Sequence, residues 1–142
     1  MKHKILLVDD EETMLKYLSR FLIKRGFDIT TAMSGEDALE KIKKQDFITV
    51  LLDVLMPGMD GIDTLREIKK IKPMTEVIML TGHASVQVAI EGMNLGAFDY
   101  LMKPFDRDEL VAKLQMACEK RLFNEKGIGA VNIPEMMPEK PA

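Results

Sequence analysis

The chain has 142 residues, a length that suits one domain with a single hydrophobic core. It is 46% hydrophobic and 30% charged, a composition that excludes a disordered protein, and a net charge of -3 without a basic run argues against nucleic-acid binding. The N-terminal apolar stretch is too short for a signal peptide or a membrane span, and one cysteine, Cys118, excludes an internal disulfide. We therefore expect a single cytoplasmic domain.

The first elements alternate between short apolar runs and amphipathic stretches. Residues 5–8 are continuously apolar, as expected for a strand buried on both faces of a parallel sheet. A helix is predicted over residues 12–25, with Gly26 as its C-cap. Its predicted buried stripe consists of Met14, Tyr17, Leu18, Phe21 and Leu22. A weaker strand follows over residues 29–32, and a second helix opens at Ser34, a favourable N-cap residue.

The second half of the chain repeats this alternation. Three further strands are predicted, over residues 48–52, 77–80 and 98–101. Three further helices are predicted, over residues 62–71, from Ser85 to residues 94–96, and after an Asp106 cap. The last helix carries an apolar stripe that includes Cys118. Glycines and prolines replace the periodic pattern from about residue 123, so we predict a domain over residues 1–122 and a tail or linker over residues 123–142.

Five strands that alternate with five helices predict an α/β fold with a doubly wound parallel sheet. Right-handed crossovers leave few topologies for such a sheet, and the flavodoxin-like order 2-1-3-4-5 is the common one at this size. Ligands bind these sheets outside the carboxyl ends of the strands, where the winding reverses. In this strand order, the reversal lies between strands one and three.

Polar side chains follow four of the predicted strands at that edge. Asp9 and Asp10 follow strand one, and Asp53 follows strand three. Thr81 and Lys103 follow strands four and five. Two carboxylates about 4 Å apart repel by roughly 4 kcal/mol at an effective dielectric constant near 20, so three of them need either protonation or a cation. Oxygen ligands with room for water suit Mg²⁺, and Mn²⁺ could substitute.

These groups together suffice for in-line phosphoryl transfer. Asp53 would be the nucleophile, Lys103 a mobile cation for a phosphoryl oxygen, and Thr81 a hydroxyl donor. Each also has a purely structural interpretation. Asp9 and Asp10 could cap the first helix, Asp53 could start a turn, and the other two could be a turn hydroxyl and a solvated cation. Their convergence on one edge of the sheet favours phosphoryl transfer.

The same residues resemble the motifs of bacterial two-component response-regulator receiver domains. The similar segments are Asp9–Asp10 (their acidic pair), residues 53–61 (phosphorylation loop), residues 80–82 (switch threonine) and residues 103–105 (lysine–proline turn). The resemblance covers residues 4 to about 121, and residues 81–101 are most similar to receivers of the nitrogen-regulator type.

The resemblance implies a phosphoacceptor site. Asp53 would accept a phosphoryl group from the phosphohistidine of a sensor histidine kinase. Asp10, Asp53 and the backbone carbonyl of Leu55 would hold Mg²⁺, with Asp9 acting partly through water. At positions that influence hydrolysis of the acyl phosphate in this family, the chain has Leu55, which cannot guide water, and His83, which could.

The resemblance also implies a switch. Lys103 would pair with the phosphate, and its bond to Pro104 is typically cis in this family. Thr81 would move toward the phosphoryl group and let Tyr100 turn inward. The face formed by helix four, strand five and helix five would then control an output domain or protein, with a homodimer as a further expectation. Neither a membrane nor direct nucleic-acid binding is expected of this chain.

Two other functions stay open at this point. One is an enzyme that turns over small substrates through an aspartyl phosphate, as haloacid-dehalogenase-like phosphatases do. Those enzymes carry a second aspartate two residues after the nucleophile, where this chain has Leu55. The other is a degenerate interaction module that works without phosphate, against which the complete set of site residues argues. We expect a signalling switch rather than an enzyme.

Overall fold

The computed structural model describes residues 2–54, 60–82 and 86–126. Within these ranges, five strands alternate with five helices, as predicted. The strands are β1 (Lys4–Val8), β2 (Asp28–Ala32), β3 (Thr49–Asp53), β4 (Glu76–Thr81) and β5 (Asp99–Met102). The helices are α1 (Glu12–Lys24), α2 (Gly35–Lys44), α3 (Gly61–Ile71), α4 (Val86–Asn94) and α5 (Arg107–Lys126). None of the described helices has the length and apolar character needed to cross a membrane.

The strands form one parallel sheet in the order β2-β1-β3-β4-β5. This confirms the doubly wound flavodoxin-like fold that the alternation predicted. Val8 pairs with Leu52 across β1 and β3, and Asp53 pairs with Leu80 across β3 and β4. The register therefore brings the residues that follow these strands to one edge of the sheet.

The two faces of the sheet are both covered by helices, which explains the continuous apolar runs. Ile5 and Leu7 of β1 pack into the core beneath α1 and α5, whereas Leu6 and Val8 pack into the core on the side of α2 and α3. Successive strand residues point to opposite faces, and because both faces are covered, every residue of β3 and β4 and all of β1 except Lys4 are buried. The edge strands β2 and β5 are only partly buried, as their weaker patterns predicted.

Short polar side chains fix the starts of the helices. The Ser34 hydroxyl accepts the backbone N–H of Asp37 at 3.0 Å, which confirms the predicted N-cap of α2. Asp60 caps α3 in the same way, through the N–H of Asp63 at 2.8 Å. At the other end of α1, Gly26 has a φ of 97°, a left-handed conformation that favours glycine and ends the helix.

The structure corrects the predicted stripe of α1. Leu15 is buried together with Leu18 and Leu22, whereas Tyr17, predicted to be buried, is 49% exposed. The sheet lies on the side of positions 15, 18 and 22, so the Tyr17 ring turns outward, where the Arg107 guanidinium lies over it at 5.9 Å. Apolar residues cover a wide arc of α1, so the sequence alone does not show which part of that arc faces the sheet.

The last helix, α5, runs to Lys126. The domain boundary predicted at residue 122 falls within this helix and stays a prediction. Arg121 of this helix, a polar residue in the sequence, is buried and donates to the Phe47 carbonyl at 2.9 Å. It also pairs with Asp46 at 2.8 Å. The remaining tail, residues 127–142, lies outside the described residues, and its role as a tail or linker stays a prediction.

Candidate functional site

Three aspartates lie at the carboxyl edge of β1 and β3. One carboxylate oxygen from each of Asp9, Asp10 and Asp53 lies within 4.8 Å of the other two. Asp9 and Asp53 are buried and Asp10 is half-buried. The structure thus brings the three predicted carboxylates together at this edge of the sheet.

The two oxygens of Asp9 have separate environments. Oδ1 accepts the backbone N–H of Glu11 at 2.9 Å, so Asp9 does support the turn into α1, as its structural interpretation held. Oδ2 is buried and has no hydrogen-bond partner among the described residues, although it lies 3.7 Å from the Lys103 ammonium. A buried carboxylate oxygen in this state has capacity for a further electropositive ligand.

Lys103 supplies the cation of the site. Its Nζ lies 3.5 Å from Asp53 Oδ2 and 3.7 Å from Asp9 Oδ2. The backbone N–H of Lys103 donates to the Thr81 carbonyl at 2.6 Å, and the Lys103–Pro104 peptide bond is cis, as the resemblance implied. Three carboxylates and one ammonium leave a formal charge of -2 (that is, -3 plus 1). This residual charge and the all-oxygen donor set fit a divalent hard cation.

Thr81 is the last residue of β4, one position beyond Leu80, the residue that pairs with Asp53. It is fully buried, and its hydroxyl has no hydrogen-bond partner among the described residues. Leaving a buried hydroxyl without a partner costs about 1–3 kcal/mol. The hydroxyl is thus available to an acceptor that enters the site.

Two backbone hydrogen bonds fix Val54, the residue after Asp53. The Val54 N–H donates to the Leu80 carbonyl at 3.2 Å, and the Val54 carbonyl accepts the N–H of Gly61, also at 3.2 Å. These bonds attach the residue after Asp53 to β4 on one side and to the start of α3 on the other. Leu55 and His83 lie outside the described residues, so their predicted roles stay predictions.

Tyr100 lies on the edge strand β5, away from the aspartates. Its side chain is 38% exposed, and its backbone N–H donates to the side chain of Asp99 at 2.7 Å. Ile90 and Met93 on α4 are also exposed apolar side chains. The outward position of Tyr100 is the arrangement from which the predicted inward turn would start.

A basic and aromatic groove on α1 was missed by the sequence analysis. It has a volume of about 520 Å³ and is lined by Thr13, Lys16, Tyr17, Arg20, Phe21, Lys24 and Arg107. The Arg107 guanidinium lies 4.9 Å from the centre of the Phe21 ring. The four-residue spacing of Lys16, Arg20 and Lys24 was the available signal, because it places three cations on one helix face.

The fold and the site together define a flavodoxin-like α/β signalling domain with an acidic pocket at its switch point. The chain belongs to the response regulator receiver domain family, whose profile matches residues 5–115. It is 44% identical over 113 residues to the transcriptional regulatory protein ZraR of Escherichia coli (strain K12). The aligned region covers 80% of this chain and 26% of ZraR. The chain thus spans about a quarter of the length of that relative.

Solved structures agree with this assignment. The receiver domain of NtrX from Brucella abortus superposes with a TM-score of 0.78 at 34% identity, covering 81% of this chain and 98% of that one. A CheY-like response regulator receiver domain protein from Methanospirillum hungatei JF-1 superposes with a TM-score of 0.83 at 29% identity, covering 87% of this chain and 99% of that one. The predicted similarity to nitrogen-regulator-type receivers is confirmed, and the domain is homologous to two-component response regulators.

Proposed function

We propose that Asp53 accepts a phosphoryl group from the phosphohistidine of a sensor histidine kinase in a Mg²⁺-dependent reaction, and that the product controls an output domain or protein. The observation that carries this proposal is the cluster of three aspartate oxygens within 4.8 Å, with the Lys103 ammonium 3.5 Å from Asp53. A phosphoacceptor role follows from the family. Its assignment to Asp53 rests on this cluster.

The residues at the acidic edge would hold Mg²⁺, with Mn²⁺ as a substitute. Asp10, Asp53 and the Leu55 backbone carbonyl would be direct ligands, and Asp9 would act partly through water from its Oδ2 atom. When bound, the ion neutralises the carboxylates and lets an anionic phosphoryl group approach Asp53.

In the transfer itself, a carboxylate oxygen of Asp53 forms a bond to phosphorus as the phosphorus–nitrogen bond of the phosphohistidine breaks. The electron pair of that bond returns to the imidazole of the kinase, and Asp53 becomes an acyl phosphate. Lys103 pairs with a phosphoryl oxygen from the position it already occupies beside Asp53. Thr81 donates its unpartnered hydroxyl to another phosphoryl oxygen.

These two contacts connect the phosphoryl group to the output face. Lys103 and Thr81 begin the loops after β5 and β4, and a backbone hydrogen bond joins them. Their contacts with the phosphoryl group stabilise one arrangement of both loops, and shifting an equilibrium from 1:99 to 99:1 requires about 5.5 kcal/mol. Among the described residues, α4 buries only the small Ala89 and Gly92 and packs Val88 partly buried against the core, so it has fewer buried apolar side chains than α5 to resist its displacement. The face of α4, β5 and α5, with Tyr100 turned inward, would be the output surface.

The partners follow from the same assignment. The basic and aromatic groove on α1, the helix that follows Asp9 and Asp10 in the chain, would offer the kinase an electropositive face. The output partner, or a second copy in a homodimer, would meet the α4–β5–α5 face. As the acceptor of a kinase that uses ATP, the domain would work in the cytoplasm and act as a switch rather than as an enzyme with its own substrates.

The test is phosphorylation of the purified chain by acetyl phosphate and Mg²⁺, followed by intact mass. We expect the mass of one phosphoryl group on the wild type, and none with chelator or in Asp53→Asn. Asp28→Asn, at an exposed position on β2, is the matched control and should react as the wild type does. Labelling of Asp53→Asn would refute the assignment, and steady hydrolysis of a phosphomonoester would favour the enzyme alternative.

A further inference from the structure

Gly61, the first residue of α3, lies unusually close to the backbone of Val54. A Cβ atom on residue 61 would lie 2.2 Å from the Val54 Cα and 2.7 Å from its Cβ. Real Cβ atoms essentially never approach another heavy atom within 3.0 Å. Any side chain at this position therefore requires a displacement of the backbone.

Neither side of this contact can move at low cost. Val54 is 2% exposed, and its backbone N–H is bonded to Leu80 of the central strand β4. The start of α3 is fixed by Asp60, whose side chain accepts the Asp63 N–H at 2.8 Å. The buried Thr64 hydroxyl adds a bond of 2.8 Å to the Asp60 carbonyl.

The residue that precedes Val54 is Asp53. We propose that Gly61 is a positioning residue for phosphoryl transfer: its lack of a side chain lets the start of α3 lie against Val54 and so fixes the Asp53 carboxylate beside Lys103, Asp9 and Asp10. This inference rests on the proposed function. A side chain at residue 61 would displace Val54, and the displacement would pass through one peptide unit to the nucleophile and metal ligand.

Other glycines of the chain provide matched controls. A Cβ on Gly92 would overlap as severely, at 2.1 Å, but with Met79 Sδ, the far end of a flexible side chain. A Cβ on Gly82, which follows Thr81, would meet no atom of the described residues within 4 Å. Gly92→Ala therefore tests steric strain away from the aspartates, and Gly82→Ala tests loss of a glycine close to them.

The experiment compares Gly61→Ala, Gly92→Ala and Gly82→Ala with the wild-type chain. The readouts are the backbone amide NMR shifts of Asp53, Val54 and Leu80, the Mg²⁺ dissociation constant by calorimetry, and labelling by acetyl phosphate, all under conditions where circular dichroism shows a native fold. For Gly61→Ala we expect shifted amides, Mg²⁺ binding roughly 10-fold weaker or more, and labelling roughly 100-fold slower. Both controls should keep wild-type amide shifts at Asp53 and bind Mg²⁺ as the wild type does.

Unchanged amide shifts and Mg²⁺ affinity in Gly61→Ala would overturn the inference, as would an equal loss in Gly92→Ala. If Gly61→Ala does not fold, Thr64→Val tests the same anchoring of the start of α3, because it removes one of the two bonds that the Asp60 carbonyl accepts and keeps the bond from the Thr64 backbone N–H. We expect Mg²⁺ binding several-fold weaker than wild type in that variant, and wild-type affinity would count against the inference. A wild type that binds Mg²⁺ but is not labelled refutes the proposed function alone, because the amide shifts and Mg²⁺ affinity still test Gly61.

Discussion

Replacement of Asp10 by asparagine should stabilise the metal-free protein. Asp10 contributes one of three carboxylate oxygens that lie within 4.8 Å of one another. Lys103 lies 3.7 Å from Asp9 and 3.5 Å from Asp53, and of the described residues it forms ion pairs only with those two. Asp10→Asn therefore removes two repulsions and leaves both of these attractions in place.

The magnitude follows from these distances. Each carboxylate pair at a separation of 4.8 Å repels by about 3.5 kcal/mol at an effective dielectric constant of 20, so two pairs give about 7 kcal/mol before solvent screening. Asp10 is half-buried, and solvent screening reduces this substantially. We expect the free energy of unfolding to rise by about 1–3 kcal/mol.

The assay is urea unfolding, with chelator and with excess Mg²⁺. In chelator, the unfolding midpoint of Asp10→Asn should exceed that of the wild type, whereas Asp28→Asn should match the wild type. Excess Mg²⁺ should stabilise the wild type more than Asp10→Asn, because binding to the native state alone adds stability. A wild type that is more stable than Asp10→Asn in chelator would refute the electrostatic reasoning.

Three further predictions concern single residues. Lys103→Met should slow acetyl phosphate labelling by about 10-fold or more, because it removes the cation nearest to Asp53, and an unchanged rate would exclude a role in transfer. Arg121→Met should lower the free energy of unfolding by about 1 kcal/mol, because the buried Phe47 carbonyl loses one of its two side-chain donors and keeps only the Thr75 hydroxyl, while labelling of the folded protein stays at the wild-type rate. Burial raises the pKa of the Cys118 thiol, so less thiolate is present at a given pH. At pH 8 the native protein should react with a thiol reagent far more slowly than the urea-unfolded chain, and equal rates would contradict the buried position.

The acidic edge could be predicted from sequence because its residues directly follow apolar strands. Asp9 and Asp53 come at the carboxyl ends of β1 and β3, and the parallel register then brings them together. Leu55 illustrates the limit of that reasoning, since its predicted metal contact involves a backbone carbonyl, which every residue type provides.

Tertiary contacts explain what the sequence could not predict. Arg121 reads as a surface residue, and its burial depends on Phe47, 74 positions earlier in the chain. The predicted buried stripe of α1 included Tyr17 because an aromatic side chain at that spacing is often buried. In the structure the Tyr17 ring lies under Arg107 instead. Gly61 belonged to a recognisable motif, but its contact with Val54 exists only after α3 packs against the end of β3.

The central claim is that Asp53, and no other residue, carries the phosphoryl group. The most direct measurement is borohydride reduction of the phosphorylated chain followed by peptide sequencing in the mass spectrometer, because an acyl phosphate on aspartate is reduced to homoserine. We expect homoserine at position 53, dependent on Mg²⁺ and absent in Lys103→Met at short reaction times. Homoserine at position 9 or 10, or a phosphoryl group stable to reduction on another residue, would contradict it.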